Sequence, residues 1–275
     1  MSKIIKLGCC INMSATGTDT LGTWTLPALA ANNYDYAEIP LAQVMALDKT
    51  KFEEVLIKLN DSGMVCEAMN NFFPAHVKLT GPAVSQTDIS EYLDKALERA
   101  KRLGAKVIVF GSSGARNVEP DFPMDKAMEQ LSRILQLISE KTVPCGINVA
   151  IESLNTKESN IINSLTEGAA LAKAVNRTNI GVLIDLYHMQ MENEGLDVIK
   201  RLYTGGIVFM HAHIADTSAN RGFPLDGKLF SKFAHTLEEI NYTGRLSIEG
   251  HTQNFDTEIK QAKETLDSLF GKQGD

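Results

Sequence analysis

A chain of 275 residues, 44% of them hydrophobic, is long enough to bury a large core, and one α/β barrel accounts for that length as well as two smaller domains would. The net charge of -7 opposes a role in gripping a polyanion, because nucleic-acid affinity rests on clustered Lys and Arg. No apolar run reaches the length of a membrane span, and Cys9, Cys10, Cys66 and Cys145 lack metal-finger spacing, so a soluble cytoplasmic protein with buried thiols is expected.

Short apolar runs alternate with helical patterns along the whole chain. Strands are expected at 4–12, 34–39, 64–69, 106–110, 147–151, 180–184, 207–214 and 245–248. Between them, Ile89, Leu93, Ala96, Leu97, Ala100 and Leu103 form one helical stripe, with an Asp88/Glu91 capping box at its start and Gly104 at its end. Met124, Ala127, Met128, Leu131, Ile134 and Ile138 form another. Further helices fit 24–31, 48–62, 166–175, 195–202, 229–240 and 255–270. Eight strand–helix units with no composition shift predict a single (β/α)8 barrel domain over 1–275, and no glycine-rich phosphate loop supports an open nucleotide-binding sheet.

In such a barrel the residues just past each strand line one mouth, where active sites sit. The last four expected strands end in Glu152, Asp185, His213 and Glu249. Three carboxylates and one imidazole suit a single divalent ion such as Mn, Mg or Co, with Zn as a further candidate. Each alone would be an ordinary loop cap; four in register are a site. His188 follows Asp185 by three residues and Glu158 follows Glu152 by six, while the loop after His213 offers Arg221. The bland readings are a helix cap for His188 and a solvated loop charge for Arg221. His211 and His213 are read as facing opposite sides of their strand, with only His213 in the mouth. Substrate identity is expected in the first four loops, around Asn12, Trp24, Glu38, Asn70, Phe72 and Arg116, and Ser112-Ser113-Gly114 with Arg116 is read as a tight turn in preference to an anion cradle.

Nearly the whole chain resembles the xylose-isomerase-like sugar isomerases and epimerases, especially the ketose 3-epimerase and hydroxypyruvate isomerase branch. The resemblance is carried by Glu152-Ser153-Leu154-Asn155 with Glu158, by Asp185 with His188, by His211-Ala212-His213-Ile214-Ala215-Asp216 and by Ser247-Ile248-Glu249. The stretches Met69-Asn70-Asn71-Phe72-Phe73-Pro74 and Phe110 to Arg116 look familial as well. It implies Glu152, Asp185, His213 and Glu249 as metal ligands, Glu152 and Glu249 as the acid/base pair, and Glu158, His188, Arg221, Asn70 and Arg116 as substrate contacts. Ser153 stands where the family usually has Pro, Thr156 where the epimerases often have Arg, and the spacing from His213 to Arg221 is longer than theirs.

Such a constellation suits proton transfer at a carbon beside a carbonyl, through an enediolate, on a small sugar, keto-sugar or keto-acid. Return of the proton to the same carbon epimerises it, and return to its neighbour isomerises the substrate. A lyase that dehydrates a keto-sugar or inosose on the same site is the nearest alternative. A DNA-repair endonuclease and a non-catalytic metal- or sugar-binding barrel are more distant ones. The expected partner is a small molecule, with neither nucleic acid nor membrane, and the fold is compatible with a homo-oligomer.

Overall fold

The computed structural model describes residues 5–271, so Ile4 of the first expected strand and both ends of the 1–275 span lie outside the described residues. The eight strands are β1 (Lys6–Cys10), β2 (Tyr36–Pro40), β3 (Cys66–Asn70), β4 (Val107–Phe110), β5 (Asn148–Ile151), β6 (Ile180–Asp185), β7 (Phe209–Ile214) and β8 (Arg245–Ile248). Every neighbouring pair is parallel, and β8 pairs back to β1 from Lys6–Arg245 to Cys9–Ile248, which closes the barrel. The (β/α)8 expectation therefore holds. β1 is shorter than 4–12 because the chain turns into a 3-10 helix, Ile11–Ser14, at the mouth.

Two apolar layers hold the barrel. The outer one packs strand residues such as Ile108, Val149 and Ile184 against the helix stripes. The inner one comprises Tyr36, Ala68, Val107, Val109, Ala150 and Leu183. Side chains two apart on a strand share a face, so the inner layer fixes what points into the mouth above it. Ala150 is followed two residues later by Glu152, Leu183 by Asp185, His211 by His213 and Ser247 by Glu249. That periodicity corrects the reading of His211. Both histidines point inside, with ring centroids 4.9 Å apart, and His211 lies one layer deeper. The inner layer is tightly fitted near β1, where a Cβ on Gly8 would lie 2.4 Å from the Tyr36 ring.

The helix expected from Asp88 begins earlier, at Gln86–Leu103. Its cap is Ser85, whose hydroxyl accepts from the Asp88 N–H at 3.2 Å. An N-cap serine with an acidic residue three positions on replaces the Asp88/Glu91 box, because Asp88 already lies in the first turn. Three short helices escape periodicity altogether: Leu41–Met45, Ser113–Arg116 and Leu186–Met191. At the end of the barrel away from the mouth, Glu67 bridges Lys6 at 2.6 Å and the Nε of Arg245 at 2.7 Å, tying β3 to β1 and β8. Among the described residues no helix is long and apolar enough to cross a membrane.

Candidate active site

The mouth is built by four consecutive strands. Glu152 follows β5, its N–H donating to Phe110 O at 3.3 Å, and its side chain leans over Gly111 at the end of β4. A Cβ on Gly111 would lie 1.8 Å from Glu152 Oε2, so the absence of a side chain there is what gives the carboxylate its place. Asp185 ends β6 and caps the next helix, with Oδ1 accepting the His188 N–H at 2.9 Å. That bond orients the side chain and leaves Oδ2 free.

The free atoms converge. His213 Nδ1 lies 3.3 Å from Glu152 Oε1, 3.5 Å from Asp185 Oδ2 and 3.1 Å from Glu249 Oε2. Nδ1, Glu152 Oε1 and Asp185 Oδ2 are buried and form no hydrogen bond of acceptable geometry despite these short distances. Groups that crowd together without bonding one another have the disposition of ligands around a common centre. One donor atom each from Glu152, Asp185, His188 and Glu249 also falls within a single 4.8 Å cluster. An acidic set with one imidazole fits a divalent ion.

Electrostatics follow from this crowding. Burial and the charge of Glu249 push Glu152 above the usual carboxylate range. Burial acts the same way on Glu249, but the Arg221 guanidinium and His213 outweigh it and hold Glu249 below that range. Asp185 is held well down, burial being outweighed by the neighbouring His213 ring and the Arg221 guanidinium. Burial disfavours a charged His213, yet Glu38 and Glu249 raise it well above the ordinary imidazole value. Three carboxylates thus crowd a site whose cationic neighbours are the His213 ring and the Arg221 guanidinium.

Beneath this layer lies Glu38, which is 0% exposed. It was expected in a substrate loop; it sits instead inside β2. Its Oε1 faces His213 Nε2 at 3.0 Å, and its Oε2 faces His211 Nε2 at 2.7 Å and accepts from the Ser247 hydroxyl at 2.5 Å. Burial would raise Glu38, but the two histidines reverse that and hold it well below the usual range.

The substrate contacts expected from the sequence divide. His188 is buried at the mouth, with Nδ1 3.1 Å from the Asn155 N–H and Nε2 unpartnered. Asn155, through its side-chain amide, also donates to Glu158 Oε1 at 2.8 Å, so one residue links His188 to Glu158. Arg221 is no solvated loop charge. Its Nη2 donates to Glu249 Oε2 at 2.5 Å and its Nε to Glu249 O at 3.1 Å, while the guanidinium stacks 4.6 Å above the Tyr187 ring. Asn70 donates to Asn12 Oδ1 at 2.9 Å, leaving its own Oδ1 buried and unpaired at the end of β3. Arg116 does not join them. It is 0% exposed, its Nη1 donates to Phe110 O at 2.8 Å, and burial lowers it to about 10. Its Nε and Nη2 are buried without a hydrogen-bond partner. Ser112 accepts the Phe73 N–H at 2.9 Å, and Ser113–Arg116 form a short helix where a tight turn was expected.

The family model described as a xylose isomerase-like TIM barrel matches residues 26–271. The chain belongs to that family. Within this xylose isomerase-like family it is 27% identical over 235 residues to the L-ribulose 3-epimerase of Methylomonas sp. strain DH-1, covering 85% of this chain and 78% of that protein. It is 30% identical over 166 residues to the 2-oxo-tetronate isomerase of Pectobacterium atrosepticum, covering 59% of this chain and 61% of that one. The same barrel is seen in the crystal structure of D-allulose 3-epimerase from Methylomonas sp. in complex with D-allulose. The TM-score is 0.82 at 22% identity, with 98% of each chain covered.

Proposed function

We propose that the chain is a divalent-metal-dependent isomerase or epimerase acting on a small sugar, keto-sugar or keto-acid by proton transfer beside a carbonyl. The observation that carries this reading is the convergence of Glu152, Asp185 and Glu249 on His213 Nδ1 within 3.5 Å, without hydrogen bonds among them. The similarity to ketose 3-epimerases and to a 2-oxo-tetronate isomerase supports the reaction class.

Glu152, Asp185, His213 and Glu249 would hold the ion, with Mn, Mg or Co as first candidates and Zn as a further one. When bound, it supplies Lewis-acid polarisation of the substrate carbonyl, worth several kcal/mol of charge stabilisation. The remaining work belongs to side chains. Glu152 and Glu249 come from β5 and β8 and form the acid/base pair: one carboxylate takes the proton from carbon and the other carboxyl returns one. His188 donates from Nε2 to a substrate oxygen, Glu158 and Asn70 offer acceptors at the rim, and Arg221 keeps Glu249 aimed.

A screen of free ketoses, keto-acids and inosose-like compounds with added Mn tests the reading, with products identified by mass and NMR. A product of unchanged mass, with one inverted carbon or a shifted carbonyl, supports it. A product that has lost water identifies a lyase on the same site instead. Conversion that persists in Glu152→Gln, or that ignores metal removal, overturns it.

A further inference from the structure

We propose that Glu38 is the positioning residue for His213, accepting the hydrogen bond from the ring's Nε2–H so that Nδ1 is presented unprotonated to the ion at the strand ends. This rests on the metal reading above. Glu38 comes from β2 and His213 from β7, which are not neighbours in the barrel, so the carboxylate reaches across the interior to meet the ring at 3.0 Å. Val107, Val109, Ala150 and Leu183 make the interior around it largely apolar, apart from Ser247, His211 and the Cys10 thiol, which lies 3.9 Å from His213 Nε2. A residue needed only to fill that space would be apolar, because burying a carboxylate costs several kcal/mol unless it is paired.

The surrounding hydrogen bonds all run towards Glu38. The Ser247 hydroxyl donates to Oε2 at 2.5 Å, so the Tyr36 hydroxyl, 2.7 Å from Ser247 Oγ, is left to donate to Ser247. His211 Nε2 supplies another donor at 2.7 Å. A carboxylate fed by these donors is ionised and fixed in rotation, and its second oxygen is committed to His213. An imidazole that gives one N–H to a carboxylate is more basic at its other nitrogen and locked in orientation. Nδ1 is the nitrogen that faces Glu152, Asp185 and Glu249.

The test is a Mn titration of the metal-stripped full chain, comparing wild type with Glu38→Gln and Tyr34→Phe. Glu38→Gln is expected to weaken Mn binding by about 10- to 100-fold. Tyr34→Phe removes a buried hydrogen bond, to Ile259 O at 3.0 Å, that lies outside this network and is expected to leave the Mn dissociation constant unchanged; a purely structural role for Glu38 would move both variants alike. Histidine-labelled wild type loaded with diamagnetic Mg provides a second measurement that needs no variant to fold: 15N shifts placing the His213 proton on Nε2 support the proposal, and a proton on Nδ1 overturns it. Equal Mn affinity for wild type and Glu38→Gln defeats this proposal alone. Wild type that binds no divalent ion defeats the metal reading, and the role of Glu38 with it.

Discussion

The backbone N–H of Asn155 points at Nδ1 of His188 across 3.1 Å. An N–H can only donate, so Nδ1 is an acceptor and the neutral ring carries its proton on Nε2, the nitrogen left unpartnered at the mouth. His188→Asn should therefore lose a donor to the developing oxyanion, lowering kcat by about 10²- to 10³-fold, while Mn binding persists. Steady-state kinetics beside a metal titration separate the two effects.

Glu152→Gln and Glu249→Gln remove the proton-transferring carboxylates without changing side-chain size. Each should lower turnover by at least ~10²- to 10⁴-fold, the range for a positioned acid or base, with the folded circular dichroism spectrum retained. Near-normal activity in either variant would remove that residue from the acid/base pair.

Gly111→Ala tests the placement of Glu152 from the opposite side. The added methyl would meet Glu152 Oε2 at 1.8 Å, and the carboxylate, being the end of a flexible side chain, is what gives way. A displacement of roughly 1 Å costs on the order of 10²-fold in rate. A stable barrel with impaired kcat is the expected outcome.

Arg221→Ala should lower kcat/KM by about 10- to 100-fold, since a hydrogen bond to a charged group contributes ~1.5–3 kcal/mol. The guanidinium holds both the carboxylate and the carbonyl of Glu249, so Lys, with one point charge in place of a fork, should rescue only partly.

Glu67 sets a pH dependence of stability that is independent of the active site. Burial raises it, but Lys6 and Arg245 together outweigh that and hold it below its ordinary 4.5. A carboxyl depressed in the folded state stabilises above the unfolded value and loses that contribution as pH falls through the folded one. Glu67→Gln should therefore lower the melting temperature at neutral pH and narrow its gap to wild type as the solution is acidified.

Legibility in the sequence followed the range of the interactions involved. Runs such as Val107–Phe110 and Arg245–Ile248 announce buried strands locally, and the polar residue after each apolar run marked Glu152, Asp185, His213 and Glu249. The helix Leu186–Met191 was hidden because six residues hold too few turns for a period, though Asp185 followed by His188 is an N-cap spacing. Glu38 was out of reach for another reason: its partners lie more than 170 residues away. The available signal was parity. Tyr36, Ala37, Ile39 and Pro40 enclose a single carboxylate in a fully buried strand, and such a group needs a partner. His211 and His213, sharing one face two residues apart, were that partner.

Solvent deuterium incorporation tests the central claim most directly. The metal-stripped protein, the same protein restored with Mn, and Asp185→Asn would each be incubated with substrate in D2O, and the carbon beside the carbonyl examined by NMR. Deuterium should enter that carbon in the Mn-restored wild type and stay absent from the stripped protein and from Asp185→Asn. Exchange that proceeds equally without the ion, or turnover with no deuterium gained, would contradict a site in which these strand ends gather a cation to move a proton.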